Sequence, residues 1–255
     1  MVWQSISASR PGAPASVAQS QLRSYVLIFS VFLLLLLLAL SASWAAIELV
    51  NDTRAYATGE GRYSKAEKIA VLSLHRYAYS GRQTDYNRFL KVIAVPQGDQ
   101  MARAALSRTP PDEGLARRGF LRGENNPEDV NGMIRMFGWF AWWKPFAAAV
   151  ADWRVGDQLV DRLFVEGVNL HTAIAAGVLD ANARSAMLAR IDALDVQLTD
   201  LENTFSTHLG EAARTATALV VAGLGLTTVL LWSAGIIFAM KLFRRQIALD
   251  NRLAT

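Results

Sequence analysis

Two stretches of this chain carry no charged residue and are each long enough to cross a bilayer, and any fold must accommodate them. The first, Ser24 to Ile47, reads SYVLIFSVFLLLLLLALSASWAAI, 24 residues. As a helix rising 1.5 Å per residue it extends about 36 Å, against a hydrocarbon core of about 30 Å. Leu34 to Leu38 is apolar on every side, as suits a lipid-facing helix, and Trp44 near the far end suits an interfacial belt. The second, Thr215 to Met240, reads TATALVVAGLGLTTVLLWSAGIIFAM, 26 residues, with Gly223, Gly225 and Gly235 of a kind tolerated in membrane helices. No other charge-free stretch of 18 residues occurs. A cleaved secretory signal is the alternative for the first stretch, with Ser43-Trp44-Ala45 as a small-x-small site. The long apolar run and the 23-residue leader favour an uncleaved anchor.

The charges orient these spans. The protein has 26 basic and 22 acidic residues, a net charge of +4, which taken alone suggests nucleic-acid binding. The excess sits at the two ends. Arg10 and Arg23 precede the first span without an acid, and Lys241, Arg244, Arg245 and Arg252 follow the second against Asp250 alone. The region between them is close to neutral, so no basic patch asks for a phosphate backbone and no nucleic-acid partner is expected. Basic flanks mark the cytoplasmic side. The chain therefore divides into a cytoplasmic leader (1–23), a first transmembrane helix (24–47), an extracytoplasmic domain (48–213), a second transmembrane helix (214–240) and a cytoplasmic helical linker (241–255). Both termini are expected inside, with membrane lipid as an obligatory partner.

The middle region reads as all-α. Period-2 alternation is nearly absent, while helix starts and stops recur. Ser64-Lys-Ala-Glu67 has the form of a capping box and predicts a helix from Ser64 through Tyr79, closed at Gly81. Thr84 predicts the cap of a second helix that stops at Pro96, and a third is expected over 98–107. Pro110-Pro111 breaks the chain, and a short helix follows over 112–121. Asn126-Pro127 predicts the start of an aromatic-rich helix reaching Trp143. Another helix runs from Pro145 to Ala176, ahead of Gly177. Asp180 caps the last helix, whose apolar residues Met187, Ile191, Leu194, Leu198, Leu201 and Phe205 form a heptad stripe. That stripe is the candidate bundle or dimer seam and signal-transmitting element. No strong breaker separates it from the second span, so one helix is expected from about 181 to 248, continuous with the span.

The residues that carry chemistry are few. The chain has no cysteine, which excludes disulfides, thiolate metal sites and a cysteine nucleophile. It has no phosphate-binding glycine loop, no HExxH and no GxSxG. No cofactor, no metal site and no enzymatic activity are expected. The histidines His75, His171 and His208 are each a possible ligand or pH-sensitive group, but a lone histidine on a helix is more often packed or solvated. In Leu74–Leu90, LHRYAYSGRQTDYNRFL, the residues Arg76, Tyr77 and Tyr86 are candidates for a pocket taking a small anionic or aromatic ligand. Packing of the tyrosines, with Arg76 solvated, is the simpler alternative. Between Met133 and Phe146 the aromatic density is high, with Phe137, Trp139, Phe140, Trp142, Trp143 and Phe146. Core packing, a membrane-surface patch and a ligand pocket involving Arg135, Trp139, Trp142 and Trp143 all remain open.

This layout of short basic leader, span, helical region with the hairpin LHRYAYSGRQTDYNRFL, and second span running into KLFRRQIALDNRLAT resembles the N-terminal input region of bacterial two-span receptors. Sensor histidine kinases, diguanylate cyclases or phosphodiesterases, and chemoreceptors are examples. The resemblance is architectural and includes no catalytic motif. It implies a homodimeric inner-membrane protein that detects an extracytoplasmic small molecule. It further implies transmission through the second span to a cytoplasmic output domain or signalling partner. Such receptors continue into an output domain, whereas this sequence ends 15 residues past the second span and lacks the proline that commonly opens a HAMP linker. The expectation is either a fragment of a larger sensor or a protein that acts by contacting a partner. A non-catalytic structural or assembly protein of the envelope is the alternative function.

Overall fold

The computed structural model describes residues 15–253, and all of its regular structure is helical, with no strand among the described residues. Arg10 of the leader and residues 254–255 lie outside the described residues, as do the side chains of Arg245, Leu249, Asp250, Arg252 and Leu253. Six helices follow in order: α1 (Ala15–Ser80), α2 (Gln83–Leu106), α3 (Glu113–Arg122), α4 (Val130–Phe140), α5 (Lys144–Ala175) and α6 (Ala181–Leu253). They belong to two compact units, Met1–Ala45 with Val220–Thr255, and Ala46–Leu219.

The first unit contains the two apolar runs. Their mean hydropathy reaches 2.8 in α1 and 2.0 in α6, and no residue of the most apolar 18-residue stretch of either is buried within the protein. These two helices are long and apolar enough to cross a membrane. Leu34, Leu38, Leu226 and Trp232 are exposed along them, and Tyr25 meets Phe238 edge-on with ring centroids 6.3 Å apart.

In the second unit several sequence expectations are corrected. Ser64 opens no helix, because α1 already runs through it. No proline lies between Glu48 and Tyr63, and Gly59 and Gly61 cost only about 1 kcal/mol each inside a helix. Ser64 Oγ instead donates to Glu202 at 2.7 Å, and Glu67, the other half of the supposed box, is buried. Pro96 does not end α2, which begins without a side-chain cap and absorbs the expected third helix. The proline deprives the Val92 carbonyl of its partner, a loss of about 3 kcal/mol. Burial of Val95, Pro96 and Gly98 in this stretch offsets that loss. Asn126 caps no helix. Its side chain closes a turn by accepting from the Glu128 N–H, and α4 starts at Val130. α4 stops at Phe140 rather than Trp143, since a continuous helix would set the Pro145 ring against the Ala141 carbonyl. Other punctuation agrees with the sequence. Gly81 and Gly177 take positive φ angles of 63° and 66°, Asp112 accepts from Leu115 N–H at 2.8 Å, and Asp180 accepts from Ala183 N–H at 2.7 Å.

Two hydrophobic clusters hold this unit. One gathers Tyr56, Phe120, Met133, Phe137, Phe146 and Leu209, among others. The other gathers Leu74, Tyr77, Phe89, Leu163, Ile191 and Leu198. α2 and α3 cross with backbones in contact. A Cβ on Gly119 would lie 2.5 Å from the Ala102 nitrogen, and one on Gly98 would strike the backbone of Gly123. The heptad stripe of α6 is spent inside the chain's own core. Ile191 and Leu198 are fully buried, and Leu201 and Phe205 pack against the clusters.

Gly119→Ala should therefore destabilise the unit by about 1–3 kcal/mol through overpacking, lowering its Tm by roughly 2–10 °C. Gly61, which has open space around its Cβ direction, supplies the contrast. Gly61→Ala should raise Tm slightly through helix propensity. Thermal melts of the full chain in detergent check both, and equal effects of the two substitutions would contradict the close crossing.

Candidate functional site

At the junction of the two clusters lies a cavity with about 60 Å³ open to the centres of water-sized molecules. That is room for roughly four waters at about 10–15 Å³ each. All six helices reach it. α1 contributes Tyr56, Glu60 and Tyr63; α2 Asp99; α3 Phe120; α4 Met133; α5 Asp152 and Trp153; α6 Leu198, Glu202 and Phe205. The α1 residues arrive by helical spacing. Tyr56, Glu60, Tyr63 and Glu67 fall at intervals of 4, 3 and 4, and Ala70, Leu74 and Tyr77 continue the same face.

The walls are aromatic. Tyr56 stands edge-on to Phe146 (5.5 Å), Trp153 (6.2 Å) and Phe120 (6.4 Å), and its hydroxyl donates to the Met133 carbonyl at 2.8 Å. Such pairs fix ring orientation as well as burying area. Four carboxylates line the same space, and no lysine or arginine does. Asp152 pairs with His208 at 2.5 Å, and buried Asp99 accepts from Asn125 Nδ2 at 2.7 Å. One oxygen of Glu202 accepts from Ser64, while Oε1 is buried with no hydrogen-bond partner in the protein. The Tyr63 hydroxyl is likewise buried without a partner. Burial, reinforced by Asp157, Glu202, Asp99 and Glu67, pushes its pKa well above the ordinary tyrosine value.

Two further acids flank the cavity without lining it. Asp157 bonds Arg103 at 2.5 Å through Oδ2 and leaves Oδ1 buried and unpaired. Lys68 Nζ lies 2.9 Å from Glu67 Oε2 but donates to Asp195 Oδ1 (2.6 Å) and Thr199 (2.7 Å), so neither Glu67 oxygen gains a well-formed hydrogen bond. Burial dominates both. It raises Glu67 to about 7 and Asp157 to about 6, and raises Asp99 and Glu202 as well.

The structure separates the candidates named from sequence. Tyr77 is 2% exposed, shares a hydrogen bond of 2.6 Å with His171 Nδ1 and packs in the second cluster. Tyr86 stacks on the His171 ring at 4.0 Å. Arg76 is exposed and points onto a shallow surface groove with Arg82, so the three do not form one pocket. The aromatic segment divides too. Phe137 and Phe146 are core, Trp143 is partly buried, and Trp139 and Trp142 are 61% and 79% exposed. Arg135 bonds both Asp52 oxygens at 3.0 Å, contacts Glu48, and lies 5.9 Å from the Trp139 ring centre. Arg135, Trp139, Trp142 and Trp143 therefore enclose no pocket. The histidines are apart, His75 on Asp192, His171 on Tyr77 and His208 on Asp152, and no metal-ligating group of three occurs among the described residues. Of the cavity's residues, the sequence reading singled out only Leu198, Leu201 and Phe205. The missed signal was the acids Glu60 and Glu67 at heptad positions of α1, where apolar residues would face a core.

No family model, curated protein or solved structure matches the chain.

The raised carboxyl groups set the sign of the pH dependence. The folded state holds protons on Glu67 between its ordinary 4.5 and about 7, and on Asp157 between 3.8 and about 6. Their stabilising contribution is complete below the ordinary values and is lost as pH rises through the shifted ones. Tm of the full chain in detergent should therefore fall between pH 5 and pH 8. Glu67→Gln should raise the pH 8 value by about 1–2 kcal/mol, or roughly 2–8 °C, and flatten the profile. A Tm that climbs over that interval would exclude a buried, proton-retaining Glu67.

Proposed function

We propose that the chain is a membrane-anchored sensory input module. In this reading residues 48–213 lie outside the cytoplasm of a bacterial cell, both termini lie inside, and the last helix carries the signal through the second span to a cytoplasmic output domain or partner. The observation that carries the reading is the cavity, because every helix of the second unit lines it. A ligand that fits one packing of those helices better than another shifts their populations, and nothing more is needed for a response. Glu202 and Phe205 lie on α6, the same helix that contains the second apolar run. A change at the cavity is thereby a change in the element that leads to the membrane. Exposed Trp139 and Trp142, with Lys144 nearby, are residue types of a headgroup belt. Arg135 ties α4, which carries Trp139 and ends just before Trp142, to Glu48 and Asp52, which follow the first apolar run by a few positions.

A second reading draws on those same tryptophans. A structural or assembly protein of the envelope would use exposed aromatic residues to grip a protein partner. Isolation of the full-length protein in a stoichiometric envelope complex that Trp139→Ala and Trp142→Ala dissolve would favour that role.

The test of the input reading is a chimera in which residues 1–255 replace the input region of a two-span histidine kinase. Phe205→Ala and Glu202→Gln should shift basal kinase output at least about twofold, since modest coupling energies of about 1 kcal/mol move a two-state ratio by that much or more. Two prolines at Asn203 and Thr204 should abolish the response to those substitutions while membrane insertion persists. Reporter fusions at residue 130 should be active only outside the cytoplasm. Output indifferent to every cavity substitution, or residue 130 found in the cytosol, removes the proposal.

A further inference from the structure

The cavity joins two features that rarely share a wall. Its aromatic rings suit an apolar guest, and its four carboxyl groups face no lysine or arginine in the lining. The acids are unequally satisfied. Asp152 already shares a hydrogen bond with His208, and Asn125 already donates to Asp99. Glu60 and Glu202 have no ion pair among the described residues, and burial, reinforced by Glu60, disfavours the charge of Glu202 more than Ser64 and the more distant Lys68 favour it. Oε1 of Glu202 and the hydroxyl of Tyr63 are both buried and both lack a hydrogen-bond partner in the protein. A buried polar atom left without a partner costs roughly 1–3 kcal/mol, so two of them in one cavity wall call for water or for a guest that bonds there in its place.

The chemistry of that guest follows from what is missing. An anion is excluded by the surrounding carboxylates. A neutral alcohol satisfies one acceptor at most and brings no positive charge to Glu202 and Glu60, neither of which has an ion pair among the described residues. A quaternary ammonium compensates the charge and suits the rings, but it has no N–H to give Glu202 Oε1. We propose that the cavity binds a small alkylammonium ion bearing N–H donors, primary or secondary. Its nitrogen bonds Glu202 Oε1 and Tyr63 Oη, and its alkyl part packs against Trp153 and Phe205. The available space limits the guest to a few heavy atoms. Because Tyr63 lies on α1, Trp153 on α5, and Glu202 and Phe205 on α6, the ion would join three helices at once. The inference names the ligand class of the input module and rests on that reading for its consequence, though binding itself is independent of it.

The experiment uses the full chain in detergent micelles at pH 7.5 and reads saturation-transfer NMR together with thermal shift. Propylammonium should bind saturably with Kd between about 0.1 and 10 mM, the range open to a ligand of four heavy atoms. 1-Propanol, with the same number of heavy atoms, should bind at least about tenfold more weakly, as should tetramethylammonium. Glu202→Gln should weaken propylammonium by about tenfold or more, and Tyr63→Phe should weaken it by a smaller factor. Tyr63→Phe keeps the ring and guards against a folding defect in the first variant, whose own ligand-free melt is recorded. Equal affinity for propylammonium and 1-propanol, or full affinity in a folded Glu202→Gln protein, overturns the proposal. Tetramethylammonium binding as tightly as propylammonium overturns the N–H requirement and with it the stated ligand class. A chimera that signals while propylammonium fails to bind sinks the ligand class and leaves the input reading standing. Binding with a silent chimera does the reverse.

Discussion

A carboxylate taken out of water must find a cation, find donors, or keep its proton, and the second unit of this protein is organised around that requirement. Its interior holds Asp52, Glu67, Asp99 and Asp157 as buried acids, with Glu202 close behind. Each is managed differently. Asp52 is held by Arg135, Asp157 by Arg103 and Asp99 by Asn125, whereas Glu67 has an awkwardly placed lysine and a strong tendency to stay protonated. Pairs such as Arg103–Asp157 do not add stability simply by existing, because desolvation consumes most of the Coulombic gain. They do specify which faces of the helices meet, since removing one partner strands the other.

That arrangement explains why the two hydrophobic clusters do not merge into one. A continuous apolar core would be more stable per residue buried. Here the α1 face changes from Tyr56, Glu60, Tyr63 and Glu67 to Ala70, Leu74 and Tyr77 without losing its period. The apolar half packs as an ordinary seam against Leu163, Ile191 and Leu198. The acidic half keeps the helices together through rings and hydrogen bonds and leaves a cavity where a seam of leucines would have filled the space.

How much of this was legible in the sequence depends on whether the signal was local. Charge-free runs are local, and the two apolar helices follow from them. So do the Gly81 and Gly177 turns and the caps at Asp112 and Asp180. Helix boundaries failed where a tertiary contact decided the outcome. Ser64 resembles a cap until Glu202, 138 residues away, takes its hydroxyl. Pro96 resembles a stop until its neighbours are seen to be buried. The tyrosines Tyr77 and Tyr86 were drawn into a pocket by proximity in sequence, but His171, from a distant helix, stacks with both rings and makes them core. The cavity itself was invisible to motif reading because it has no motif. It exists only where six separate segments converge, although acids on a heptad face were a fair warning.

The crossing of α2 and α3 bears on how this interior can move. Helices separated by side chains can slide as rotamers exchange, but two backbones already touching have no such tolerance. Gly98 and Gly119 bring these helices together, and beside them Asp99 and Phe120 enter the cavity wall, with Asn125 bonded to Asp99. A rearrangement that spares this contact would fall to the other helices, α1, α4, α5 and α6, which meet through side chains.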